Sequence, residues 1–237
     1  MSKAKVFCFP YAGSSSTTFT KWCSESHPLI EWIPVELAGR GRRYGEPFYS
    51  SLDECVQDVM LRLLDHNISS PYALYGHSMG ATIAFELARR IIDCGHRAPE
   101  HLFLSGRRSP LSARPIRKVY DLPDSELVSF LKEMGGVGSD LTDSQRALDI
   151  FLPILRADFR MLSRYDFKRN DLPIDIQLSL INGKSDDIYP QEIASWQRLS
   201  SKECKYLFYE GGHFFIEKWY REIRRYINNE LVGLVTS

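Results

Sequence analysis

The sequence predicts an α/β architecture, a mostly parallel central sheet flanked by helices, on three observations. Short apolar runs alternate with helical patterns along most of the chain. One of those runs ends in a glycine-bounded serine turn and passes at once into a helical pattern. The alternation lapses once, over about 110–170, where only helical patterns occur.

Taken in order, KVFCF (5–9) reads as a first strand that stops at Pro10, followed by the turn AGSSS. WIPVEL (32–37) reads as a second, with Pro34 pointing to an edge position or a bulge. Ser51 and Glu54 have the spacing of a capping box, and Val56, Val59, Met60 and Leu63 form the apolar stripe of the helix behind it. YALYG (72–76) is a buried strand, 81–95 a helix stopped by Gly95, and HLFLSG (101–106) the next strand. In the interruption, Leu127, Phe130, Leu131 and Met134 line one short helix. Thr142 and Gln145 open another, which Pro153 is expected to kink or break. This stretch is expected to be a lid inserted in the sheet domain. IQLSLIN (176–182), a helix near 190–199, KYLFYE (205–210) and a helix from Phe215 to about Leu231 complete the pattern.

The totals favour one domain over residues 1–237. With 43% hydrophobic and 25% charged residues the chain can build a core. Thirty basic against thirty acidic residues give no net charge, so nothing global points to nucleic acid or membrane. No apolar run is long enough to span a bilayer, and the N-terminal run is too short for a signal peptide. Five scattered cysteines without a CxxC read as reduced thiols of a cytoplasmic protein, with neither a disulfide framework nor a metal site. No cofactor is expected.

Gly76-His77-Ser78-Met79-Gly80 is a G-x-S-x-G motif. The strand before it and the helix after it supply the setting of a nucleophile elbow, so the fold class narrows to the α/β-hydrolase fold. Tiny residues two before and two after Ser78 permit the strained turn. The helix N-terminus beside the hydroxyl favours developing negative charge, which makes the Met79 amide an oxyanion donor. Ser78 needs a base, and the order of this fold is Ser, then acid, then His. His27 and His66 precede the serine, His77 lies inside the motif, and His96 and His101 flank a connection. His213 follows a late strand, in the turn before the last helix, and is the expected base. The acid belongs in the loop after IQLSLIN, where Asp186 and Asp187 both stand; Asp186 is nearer the strand end. A second oxyanion donor is expected after the first strand, the Ala12 amide being preferred and Tyr11 the alternative.

FCFPYAG (7–13), ELAGRGRR (36–43), GHSMGATIAFELAR (76–89), LFLSGRRSP (102–110), LPILRADFRMLSRYDF (152–167) and GGHFF (211–215) run end to end. In these stretches the chain resembles the free-standing type II thioesterases of nonribosomal peptide and polyketide assembly lines. It departs from their pattern at Ala38, where they usually carry proline, and at Gly13-Ser14, where they usually carry two glycines. The resemblance implies a triad of Ser78, Asp186 and His213, the acid standing three residues after Gly183. It implies hydrolysis, in trans, of acyl groups on the phosphopantetheine arm of acyl- or peptidyl-carrier proteins. The chain is expected to be a monomer. Phe130, Met134, Phe151 and Phe159 are expected in the acyl pocket, and Arg107, Arg108, Arg114, Arg117 and Lys118 on a basic strip that meets the acidic carrier. The rival readings are an oxoester hydrolase of the carboxylesterase or lipase kind and a binding protein on a hydrolase scaffold.

Overall fold

The computed structural model describes residues 3–25, 27–66, 68–114, 118–136, 144–167 and 173–236. Six strands form one sheet: β1 (Ala4–Phe9), β2 (Ile30–Pro34), β3 (Tyr72–His77), β4 (His101–Ser105), β5 (Gln177–Gly183) and β6 (Lys205–Tyr209). Their order is β2-β1-β3-β4-β5-β6, and every neighbouring pair is parallel. All C-terminal strand ends therefore open on one edge, where an open α/β sheet presents its chemistry.

Two-residue alternation decides what each face of the sheet buries. From β1, Phe7 and Phe9 join a core with α2 (Leu52–Leu64) and α3 (Met79–Asp93). Ala4, Val6 and Cys8 enter the opposite core with α1 (Thr20–Ser24) and α7 (Ile216–Thr236). Every residue of β3 is buried, as expected of a central strand covered on both faces. Pro34 lies at the end of the edge strand β2, opposite Cys8, so the edge reading holds; Glu36 and Leu37 fall beyond the strand. Ser51 caps α2 by accepting from the Glu54 amide, 3.2 Å away. The Glu54 carboxylate reaches the amide and hydroxyl of Ser50, both at 2.7 Å.

Between β4 and β5 the described residues contain no strand. They hold a 3-10 turn (Val119–Asp121), α4 (Asp124–Glu133) and α5 (Gln145–Ser163). Val119, Leu127, Leu131, Leu152 and Leu155 make a third core, against which Ala12 of the β1 loop also packs. Ser144 caps α5 through the Ala147 amide; Thr142 lies outside the described residues. The expected break at Pro153 does not occur, and α5 runs through it. Pro153 is on the exposed side, where water can serve the carbonyl it leaves without a donor, while Leu152, Ile154 and Leu155 are buried. The helix expected near 190–199 is α6 (Pro190–Ala194) followed by a 3-10 turn (Ser195–Leu199). Among the described residues no helix is long and apolar enough to cross a membrane.

Candidate active site

Ser78 is the turn between β3 and α3. Its φ of 55° is the only positive value at a non-glycine position among the described residues. Such backbone is strained and persists only where the surroundings hold it. The Ser78 amide donates to the Ser105 carbonyl at 2.8 Å, which ties the elbow to the end of β4. Gly76 and Gly80 make the turn sterically possible. A Cβ on Gly76 would lie 2.1 Å from the Gly80 carbonyl carbon, and one on Gly80 would lie 2.0 Å from the Phe9 carbonyl oxygen. Both obstacles are backbone, so neither can swing aside. Gly80→Ala is therefore expected to destabilise the protein by about 3 kcal/mol or more, read as a lower urea midpoint. A midpoint within experimental error of wild type would contradict this close approach.

The hydroxyl of Ser78 donates to Nε2 of His213 at 3.0 Å. Nδ1 of His213 donates to Oδ2 of Asp186 at 2.9 Å. The Asp186 side chain is 6% exposed and that of His213 14%. Two loops hold this pair together. The Ser185 amide donates to the Gly211 carbonyl at 3.0 Å, and that of Lys184 to the Tyr209 carbonyl at 2.8 Å. Gly183 permits the contact, since a Cβ there would lie 2.4 Å from the Gly212 carbonyl oxygen. Asp187, one residue on, has an 86% exposed side chain and pairs with Arg114 at 3.0 Å. The structure thus brings Ser78, His213 and Asp186 together and turns Asp187 away.

The other histidines fall elsewhere. His27, His66 and His96 precede β2, β3 and β4, and His101 begins β4, all toward the opposite edge from Ser78. His101 is stacked on Phe103 and bonds to Ser179 at 2.8 Å; burial pushes its pKa down to about 3. His77 lies beside the site, its ring centroid 5.0 Å from that of His213 and its Nδ1 3.0 Å from the Ser105 hydroxyl. Burial, reinforced by His213, holds its pKa well below the usual histidine range, so it stays neutral. It is an uncharged wall for the His213 imidazole, a role the motif alone did not suggest.

Met79 opens α3, where the first amides have no intrahelical acceptor. The Ala12 amide has no acceptor among the described residues, whereas its neighbour Gly13 donates to Asp158 Oδ2 at 2.8 Å. Asp158, on α5, also holds Arg40 through both oxygens, at 2.6 and 2.7 Å. Arg40 in turn donates to the Ser14 carbonyl at 3.0 Å. The side chains are 2% and 3% exposed, a buried bidentate pair clamping the β1 loop to α5. Sequence reasoning missed this pair. Its members stand in the runs GRGRR and RADFR, but nothing local joins residues 118 positions apart.

Of the expected acyl-pocket residues, Phe130, Phe151 and Phe159 pack on the core of the β4–β5 segment beside Ala12. Met134 ends α4. The basic strip is partly paired. Arg114 is paired with Asp187 and, at 3.2 Å, with Glu192; Arg108 lies 3.9 Å from Glu192. Arg107 lines a cavity with Lys118. Arg117 lies outside the described residues.

A thioesterase-domain family model matches residues 4–230. The chain is 33% identical to the gramicidin S biosynthesis protein GrsT of Aneurinibacillus migulanus, across 91% of this chain and 84% of GrsT. It is 31% identical to the thioesterase PikA5 of Streptomyces venezuelae, across 98% and 82% of the two. Among solved structures it is similar to the RedJ thioesterase of the prodiginine pathway in Streptomyces coelicolor. The TM-score is 0.88 at 31% identity, covering 97% of this chain and 91% of RedJ.

Proposed function

The chain belongs to the thioesterase family, and we propose that it hydrolyses acyl groups from the phosphopantetheine arm of carrier proteins in trans. The partners are acyl- and peptidyl-carrier proteins of nonribosomal peptide or polyketide synthesis, and the protein works as a cytoplasmic monomer. The observation that carries this reading is the hydrogen-bonded chain Ser78–His213–Asp186 at the N-terminus of α3.

Ser78 is the nucleophile. As its Oγ attacks the thioester carbonyl carbon, the hydroxyl proton passes to His213 Nε2. Asp186 keeps Nδ1 protonated and stabilises the imidazolium; it takes no proton itself. The oxyanion forms beside the amides of Met79 and Ala12 and the positive end of α3. Collapse breaks the carbon–sulfur bond and releases the pantetheine thiol, which carries the His213 proton away. Water then adds to the acyl-Ser78 ester, giving its proton to His213, and the free acid leaves as Ser78 recovers its hydrogen. The helical segment between β4 and β5 acts as a lid, with Phe130, Phe151 and Phe159 as apolar walls for the acyl chain.

Asp186→Asn is expected to lower kcat by on the order of 10³ or more, because an amide favours the wrong imidazole tautomer. Asp187→Asn is expected to change it by less than about threefold, an exposed ion pair being weak. Steady-state rates of the two variants test the assignment, and the reverse ranking would make Asp187 the acid. The substrate reading is tested with an acyl thioester on a carrier protein and the matched free oxoester. The thioester is expected to have the higher kcat/KM by about tenfold or more, ~1.4 kcal/mol of barrier. Preference for the oxoester would favour the esterase alternative.

A further inference from the structure

One turn along α3 from Ser78 lies a cavity of about 420 Å³, lined by Thr82, Phe85, Arg107, Arg108, Lys118 and Trp196 among others. Two of its polar groups have no partner among the described residues. Thr82 is 4% exposed, and its Oγ1 has no hydrogen-bond partner. Helical threonines commonly fold this hydroxyl back onto a carbonyl one turn earlier; this one does not. The Arg107 guanidinium makes neither an ion pair nor a hydrogen bond with any described residue. Its backbone is nevertheless fixed, its carbonyl accepting the Trp196 indole N–H at 2.9 Å.

The charges around the cavity do not cancel at Arg107. Glu192 serves Arg114 and, more distantly, Arg108, and Asp187 serves Arg114. Asp166, the one carboxylate in the lining, is exposed at its rim. Burial and the neighbouring Arg108 push the Arg107 pKa down to about 10, which leaves it charged at neutral pH. The Thr82 hydroxyl has under 1 Å² of accessible surface and lies behind the lining; the half-buried Arg107 guanidinium, its donors unused by any described residue, is complementary to a planar or tetrahedral oxyanion.

We propose that this cavity binds an anionic group of the substrate, a carboxylate or a phosphate, held by the fork of Arg107. The proposal rests on the thioesterase reading for what carries the anion, and not for the anion site. Thr82 stands four positions after Ser78 along α3, a rise of ~6 Å. A carboxylate at the far end of a short acyl chain spans that distance. The phosphate of the pantetheine arm is the second source of the same chemistry.

Two experiments on the whole protein test this. In thermal melts at matched ionic strength, succinate or phosphate is expected to raise the wild-type Tm, and neutral succinamide is not. Arg107→Met is expected to abolish the response. No response in wild type, or an equal response in Arg107→Met, would overturn the proposal. Kinetics then identify the source through two matched pairs: succinyl- and butyryl-N-acetylcysteamine, and butyryl-phosphopantetheine and butyryl-pantetheine. Arg107→Met is expected to lower kcat/KM about tenfold to a hundredfold for the charged member of one pair and to leave its neutral partner nearly unchanged. Loss on the first pair assigns the acyl carboxylate, and loss on the second the arm phosphate. Equal effects on charged and neutral members of both pairs would overturn it. If Arg107→Met fails to fold, Arg107→Gln, which keeps a polar side chain but removes the charge, carries the same comparisons with a loss of about threefold to tenfold. Should wild type hydrolyse none of the four thioesters, the thioesterase reading fails while the melts still report on the anion site.

Discussion

Ser78→Ala is expected to lower kcat for thioester hydrolysis by on the order of 10⁴–10⁶ while leaving the fold intact. The loss follows from the proposed role of the hydroxyl, whose oxygen would form the covalent bond and which lies 3.0 Å from His213 Nε2. The fold survives because the elbow is held by backbone. The Ser78 amide still meets the Ser105 carbonyl, and the glycines at 76 and 80 still admit the crossing of strand, helix and loop. Alanine suffers the φ of 55° no more than serine does. The Tm is therefore expected to stay within a few degrees of wild type. Activity above a few per cent in a folded Ser78→Ala protein would remove Ser78 from its role.

Asp158→Ala is expected to destabilise the protein by about 3–5 kcal/mol. The substitution leaves the Arg40 guanidinium charged, 2% exposed and without the carboxylate that pairs with it. It also removes the acceptor of the Gly13 amide and so loosens the loop that carries Ala12. Stabilities of whole domains are typically ~5–15 kcal/mol, so this single change removes a large fraction. Urea unfolding measures the first effect. The second is a fall in kcat of about tenfold to a hundredfold, the scale of disturbing one oxyanion donor. The double variant Arg40→Met/Asp158→Leu separates the two. Replacing both charges with apolar groups is expected to recover most of the stability, because no stranded charge remains. The kcat is expected to stay low, because the Gly13 amide still has no acceptor. Recovery of stability and kcat together would show that the pair does nothing for the loop.

These two expectations sit at opposite ends of what was legible in the sequence. The strands, the elbow and the turn with His213 are written by near neighbours: an apolar run, a pair of glycines, a helical stripe. Pro34 likewise signals its edge by its own missing N–H. Where the outcome depends on distant packing, local reading fails. Pro153 looks like a helix breaker, yet its neighbours Leu152, Ile154 and Leu155 anchor α5 on both sides of it. Asp186 and Asp187 differ by one position; the loop's pairing with Gly211 and Tyr209, not its composition, turns one toward His213 and the other toward Arg114. Arg114 reads as a free surface charge until Asp187 and Glu192 arrive from beyond β5. Arg40 and Asp158 meet only because α5 crosses the loop after β1.

The central claim, acyl transfer from a carrier's pantetheine thiol to Ser78 followed by hydrolysis, is tested most directly by trapping the intermediate. Wild-type protein is mixed with a carrier bearing an acyl-phosphopantetheine arm, quenched within milliseconds and analysed by peptide mass. The account predicts an acyl mass on the peptide containing Ser78, decaying as free acid appears, and no such mass in Ser78→Ala. Free acid released with the acyl group found on another residue, or a carrier left acylated while a free oxoester is consumed, would contradict it.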